Sequence, residues 1–310
     1  MQAPLISIVT TLFRSERFIP EFISRCYATL QEMNIDQFEI VVVNDGSPDA
    51  SLERILSLKQ THPDIRVVNL SRNFGHHYAL YAGIEHARGA HVFIIDCDLE
   101  VGPEVLKTFY HEMTSGGYGI VYGYQEIRKG GFVEKRLGGI FWKLFNSLSD
   151  VAVHPNILTE ALMTRGFVNE LLKLGDRNLF MAGMLHWTGF RNKALPVKKG
   201  QRQGRPAYTI TKRVNLLVDA LSSFSSYPLK LLFTVGMVLT LFSFLSGLFF
   251  VVRKVLYPDK ILTGFTSLIV VILFSTGLIM VSLGVIGIYL AKVFNQVKDR
   301  PRYIVERVYD

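Results

Sequence analysis

Two long stretches without a charged side chain limit what this chain can become. Leu231 to Val252 runs 22 residues between Lys230 and Arg253, and Ile261 to Ala291 runs 31 residues between Lys260 and Lys292. About 20 apolar residues cross the hydrocarbon of a bilayer, so each is long enough to span, the second with tilt or an interfacial end. Core helices of a soluble protein rarely run uncharged this far. Only eight residues, Arg253–Lys260, link the two stretches. The spans, about 231–252 and 261–291, therefore form a hairpin, with the large N-terminal part and the segment after it on one side.

Charge decides which side. Seven basic residues and no acid lie between 193 and 213: Lys193, Lys198, Lys199, Arg202, Arg205, Lys212 and Arg213. Lys292, Lys298, Arg300, Arg302 and Arg307 follow the second span, and the link holds Arg253, Lys254 and Lys260. The positive-inside rule then puts both termini in the cytoplasm of a multi-pass inner-membrane protein. Charged residues make up 19% of the chain, against about a quarter in a soluble domain. A formal charge of +8 raises the question of nucleic acid, but a mean hydropathy of +0.26 argues for anionic headgroups instead. Cys26 and Cys97 are too few for a disulfide framework or a metal quartet. No basic n-region precedes Arg14, so no secretory signal is expected.

Four domains follow from this: a sheet domain over 1–210, a juxtamembrane helix over 211–228, two spans within 229–291, and a cytoplasmic tail over 292–310. In the juxtamembrane stretch Val214, Leu217, Val218, Leu221 and Phe224 recur at helical spacing before Tyr227-Pro228. That stripe suits a helix lying on headgroups or one facing a core. Leu137–Leu148 has a similar apolar face.

The first hundred residues alternate strands and helices. Leu5–Leu12, Glu39–Val43, Arg66–Leu70 and His91–Ile95 are short, apolar and β-branched, with helical patterns at Arg17–Met33 and Tyr78–Arg88. Such strands belong to a parallel α/β sheet buried on both faces, which binds ligands beyond its strands' carboxyl ends. Two of those ends are acidic: Asn44-Asp45-Gly46-Ser47 and Asp96-Cys97-Asp98-Leu99-Glu100. The second suits a hard divalent cation bridging to phosphate oxygens, or a solvated acidic turn.

Leu70-Ser71-Arg72-Asn73-Phe74-Gly75, then Ala79, Gly83, Ala87-Arg88-Gly89 and Asp96-Cys97-Asp98-Leu99, resembles a long signature of family 2 glycosyltransferases. It is most similar to the branch that charges polyprenyl phosphates, the dolichol-phosphate mannose synthase and bacterial undecaprenyl-phosphate glycosyltransferase group. Glu16, the Asn-Asp-Gly-Ser turn, Ser223-Phe224-Ser225 and the hairpin match that branch too, so the resemblance covers essentially the whole chain. It implies a GT-A (Rossmann-like), mostly parallel α/β domain followed by interfacial helices and a two-helix transmembrane hairpin. It also implies inverting transfer of one sugar from a nucleotide-diphosphate sugar to a polyprenyl phosphate, with Mg²⁺ or Mn²⁺. A UDP-sugar ranks ahead of a GDP-sugar. A non-processive transferase acting on another lipid or glycan, and a non-catalytic membrane scaffold, remain as alternatives.

Carried over, Asp96, Asp98 and Asp150 are the catalytic candidates, and Asp98 is the metal ligand. Thr11, Glu16, Asp45, Arg72 and Asp96 would contact the nucleotide. Asp150 also reads as a helix-terminal turn residue. The acceptor phosphate falls to Arg202, Arg205, Lys212 and Arg213, which also suit anionic lipid. Arg177 after Asp176 reads as a structural ion pair or a donor-site residue. Three departures stand out. Thr11-Leu12-Phe13-Arg14-Ser15-Glu16 replaces Pro-x-Tyr-Asn-Glu; Ala161 stands where an Arg is usual; His76-His77 replaces Lys-Glu and is given no role. Gly236, Gly247, Gly277, Gly284 and Gly287 are candidates for span-to-span packing and leave room for a homo-oligomer.

Overall fold

The structure, a computed structural model, describes residues 4–126, 146–149, 153–177, 179–200, 225–256 and 265–310. Asp150, Arg202, Arg205, Lys212 and Arg213, most of the juxtamembrane helix, and most of 137–148 lie outside the described residues.

The four expected strands form: β1 (Ile6–Leu12), β2 (Phe38–Asn44), β3 (Ile65–Leu70) and β4 (His91–Ile94). They pair in parallel, β1 with both β2 and β4, and β2 with β3. Between them run α1 (Ile19–Glu32), α2 (Ser51–Lys59) and α3 (His76–His86). Each strand sends alternate residues to opposite faces. Ile6, Ile8, Ile40 and Phe93 meet Phe22 and Cys26 of α1 together with Leu106 and Phe109 of α4 (Val105–Gly116). Val9, Val41, Val68 and Ile94 meet Leu80 and Tyr81 of α3. Both cysteines are buried and free.

Beyond β4 the sheet changes direction. The chain adds β5 (Ile120–Tyr124), β6 (Ile157–Thr164), α5 (Arg165–Lys173), α6 (Met181–Trp187) and β7 (Asn192–Pro196). β6 inserts between β4 and β5, antiparallel to both, and β7 lies parallel to β5. The order across the eight-stranded sheet is β7-β5-β6-β4-β1-β2-β3-β8, the mostly parallel, Rossmann-like α/β fold expected.

The described residues of both uncharged runs are helical, in α7 (Tyr227–Leu256) and α8 (Phe265–Val297). Among the described residues one segment is long and apolar enough to cross a bilayer: Phe274–Val297, with mean hydropathy 2.0 and no buried residue. In α7 the comparable apolar segment is shorter, Tyr227–Leu239. Large side chains on both helices, among them Phe233, Phe242, Phe274 and Met280, are exposed. A Cβ built on Gly236, Gly277, Gly284 or Gly287 meets nothing within 4 Å, so there is open space beside the helix at each.

The segment 292–310, expected as a tail, completes α8 and then returns to the sheet. β8 (Val305–Tyr309) adds an antiparallel edge to β3. Gln296 accepts from the Arg177 N–H at 3.1 Å and donates to the Gly175 carbonyl at 3.2 Å. Arg302 donates to the Asp176 carbonyl at 2.8 Å and lies over the Tyr81 ring. Arg177 pairs with Asp299 and not with Asp176, the structural one of its two readings.

Candidate functional site

The carboxyl ends of β1 to β4 open on one side of the sheet, and the acidic turns lie there. After β2, Gly46 sits at φ +57°, and a Cβ on it would lie 2.5 Å from the carbonyl carbon of Arg72 and the amide nitrogen of Asn73. Only glycine fits so close to that backbone at that angle. The closeness lets Asp45, 2% exposed, organise the loop after β3. Its carboxylate accepts from Phe74 N–H at 2.7 Å, Gly75 N–H at 3.0 Å and Asn73 Nδ2 at 2.9 Å. Burial raises the Asp45 pKa, and the two backbone bonds pull against it. Most of what a carboxylate can accept is therefore taken inside the protein.

Arg72, on the same loop, lies over the Phe74 ring at 4.1 Å and stays exposed. Glu16 joins Arg14, Arg17, Pro20, Asp49 and Arg54 around an open cleft of about 450 Å³ beside the β1 and β2 ends. Its own N–H donates to Asp49 at 3.3 Å. Thr11, near the end of β1, lies 3.2 Å from His76 Nδ1, and His76 Nε2 lies 3.4 Å from Asp96 Oδ1. The histidine given no role from sequence thus links two of the nucleotide-contact candidates.

Past β4, Asp98 accepts the Glu100 N–H at 3.0 Å, and the intervening Leu99 is held at φ +59°. A branched side chain in that region costs on the order of 1 kcal/mol, the kind of strain that gathers at working sites. Burial, chiefly, raises the Asp98 pKa, with Asp96 and Glu100 adding to it. The structure supplies two neighbours that motif spacing does not reveal. Glu160 on β6 comes beside the β4 end because Ala161 pairs with Ile94. It is 1% exposed, and its Oε2 has no hydrogen-bond partner. Burial first, then the Asp96 charge, pushes its pKa up to about 8. Lys199, just past β7, brings Nζ to 2.7 Å from Glu100 Oε2. One signal for Glu160 was available: a lone acid in the otherwise uncharged run Ile157–Thr164.

No three His, Cys, Asp or Glu side chains among the described residues converge into a metal cage. The carboxylates and the orphaned Glu160 oxygen are nonetheless hard donors, suited to Mg²⁺ or Mn²⁺ held by one or two carboxylates and shared with substrate phosphates. Asp98 fits that use.

A family model described as glycosyl transferase family 2 matches residues 7–174. The chain is 37% identical over 304 residues to a protein of Mycobacterium tuberculosis named "Putative glycosyltransferases", covering 98% of this chain and 88% of that one. It is 31% identical over 304 residues to the "Prophage bactoprenol glucosyl transferase homolog" of Escherichia coli, covering 98% and 99%. The "Bactoprenol glucosyl transferase" of Shigella phage SfII is 31% identical over 303 residues, with 97% of each chain covered.

Proposed function

The chain belongs to glycosyltransferase family 2, and on that premise we propose that it transfers one sugar from a nucleotide-diphosphate sugar, a UDP-sugar first, to a polyprenyl phosphate at the cytoplasmic membrane face. One observation carries the reading. The acidic strand ends and an exposed apolar helix belong to a single body, because α8 is fastened back to the sheet through Gln296, Arg302 and β8. A donor site for a charged nucleotide is thus tied to a surface made for lipid. The names of the E. coli and phage relatives support bactoprenol as the acceptor class.

The β8 pairing also supports a two-span hairpin. Residues 305–309 share a sheet with residues 65–70, so any crossings between them must be even in number. With the basic residues of 193–213, this favours a multi-pass protein with both ends of the described chain in the cytoplasm.

Transfer follows from the acceptor's chemistry. A phosphate monoester with a second pKa of about 6 is a dianion at neutral pH and needs no base. Its oxygen attacks the anomeric carbon as the carbon–oxygen bond to the diphosphate breaks, and that electron pair leaves with the diphosphate. Attack opposite the leaving group inverts the centre. Asp98 holds the divalent cation, which when bound neutralises charge on the leaving diphosphate. Asp96 faces the nucleotide's sugar or phosphate, with His76 and Thr11 behind it. Asp45 keeps the Asn73–Gly75 loop in shape, while Arg72 and Glu16 border the nucleotide. Arg202, Arg205, Lys212 and Arg213 take the acceptor phosphate, and Asp150 lies towards the acceptor; these five rest on sequence alone.

The test is an assay of the purified full-length protein with Mn²⁺ or Mg²⁺, undecaprenyl phosphate and a panel of UDP- and GDP-sugars. Labelled lipid forms with the native chain and not with Asp98→Ala. Donor turnover that ignores the polyprenyl phosphate overturns the assignment.

A further inference from the structure

Four carboxylates crowd the carboxyl end of β4 and the adjoining stretch of β6: Asp96, Asp98, Glu100 and Glu160. Like charges this close oppose one another's ionisation, and a cation among them eases that opposition. Lys199 does so in this structure, its Nζ 2.7 Å from Glu100 Oε2, with side chains only 24% and 11% exposed. Backbone contacts fix it there. Val197 N–H donates to the Tyr124 carbonyl at 2.9 Å and Gly200 N–H to the Glu100 carbonyl at 2.6 Å. A Cβ on Gly200 would stand 3.3 Å from that carbonyl oxygen. Burial works against the ammonium, but the bond to Glu100 and the charges of Glu100, Glu160 and Asp96 outweigh it, so its pKa is raised. Its charge in turn works to lower the pKa of Asp98 and Glu160.

A second observation shows that this face still has room for a polar partner. Glu160 is 1% exposed and its Oε2 remains without a hydrogen bond. A buried oxygen left in that state costs stability, and a polar ligand at this face removes the cost. A bare divalent cation would find no cage among the described residues, and one lysine already in place.

We propose that Lys199 is the resident cation of this acidic face, and that its ammonium leaves Glu100 for a diphosphate oxygen when the nucleotide and its divalent cation bind together. The inference rests on the nucleotide-sugar reading above and deepens it, because it makes cation binding conditional on nucleotide. Without nucleotide, Lys199 repels the ion. With nucleotide, the diphosphate supplies oxygens to the ion and a new partner to the lysine.

Mn²⁺ titration of the full-length protein in detergent, followed by electron paramagnetic resonance with and without UDP, tests this. The native chain binds Mn²⁺ weakly alone and much more tightly with UDP. Lys199→Met binds Mn²⁺ alone at least about tenfold more tightly, since a positive charge has left a poorly screened site. The tightening by UDP shrinks by a similar factor. Lys199→Gln, which keeps a donor for Glu100 without the charge, behaves as Lys199→Met does, and Lys199→Arg stays near the native values. Unchanged Mn²⁺ affinity in Lys199→Gln without UDP overturns the proposal. Failure of the native chain to glycosylate polyprenyl phosphate would instead remove the acceptor assignment and leave these titrations as they are.

Discussion

The two ends of the parallel strands each bury a glutamate, and they treat it in opposite ways. At the amino end Glu39 accepts from Ser7 Oγ at 2.6 Å and from Arg88 N–H at 2.5 Å, while Ser7 in turn accepts from Gly89 N–H at 2.7 Å. At the carboxyl end Glu160 is buried more deeply, keeps an unpartnered oxygen and sits among other acids. A satisfied buried network adds rigidity, and an unsatisfied one is a cost that persists where function needs it. One sheet therefore carries a structural end and a working end, told apart by their hydrogen bonds and not by their burial.

Substitutions can break or sharpen that contrast. The largest effect is expected at Asp98→Ala, which cuts lipid glycosylation by about 10³-fold, as loss of a group stabilising the leaving charge does. The melting temperature should hardly move, and a large drop would place Asp98 with the structural residues. Glu39→Ala strands the Ser7 hydroxyl and the Arg88 N–H, and should lower unfolding free energy by about 2–4 kcal/mol. Denaturant titration reads that loss, while activity per folded molecule stays native.

Glu160→Gln should act in the opposite sense on stability. The folded chain holds this proton up to a pKa of about 8, against an ordinary value of 4.5. Between those values the native state binds more proton than the unfolded chain, so ionising Glu160 costs stability progressively as pH rises through that window. The Gln variant should melt close to the native chain below pH 4.5 and above it at pH 9, by roughly 2–4 °C for each kcal/mol recovered. A pH-independent difference would mean that folding does not hold the Glu160 proton. The smallest effect belongs to Glu306→Gln. Glu306 accepts from Asn69 Nδ2 at 2.7 Å, and Asn69 Oδ1 accepts from Asn44 at 2.8 Å, just before Asp45. An amide keeps that bond at reduced strength, so nucleotide KM should rise about two- to fivefold, in line with the loss of roughly 0.5–1 kcal/mol from a charged hydrogen bond.

The working end was partly legible because half of it is contiguous in sequence. Asp45 after one β-branched run, and Asp96 and Asp98 after another, stand where a parallel sheet puts its ligands. Strands β1 to β4 were legible for the same reason, as continuous apolar runs divided by helices. Glu160 and Lys199 were not, since antiparallel insertion of β6 and the bend after β7 bring them in from 60 and 100 residues away. β8 was missed on composition. Val305-Glu306-Arg307-Val308-Tyr309 carries two charges in five residues and none of the five is buried, as suits an edge strand, and it reads as a tail. The apolar helices were plain from sequence, but the partners of their glycines were not, because a bare Cα says nothing about which way it faces.

That edge strand has a consequence for how the protein is made. β3 emerges from the ribosome early, yet the partner that caps it is translated only after both apolar helices. Until those helices are made and the chain has turned back, β3 keeps an open edge, and Arg66 lacks the partner it finds in Asp310. On the proposed two-span reading, an incompletely inserted molecule is also an incompletely folded one, marked by a free strand edge that holding factors and proteases can grip. On that reading β8 acts as a seal, closing on β3 only once the chain has returned.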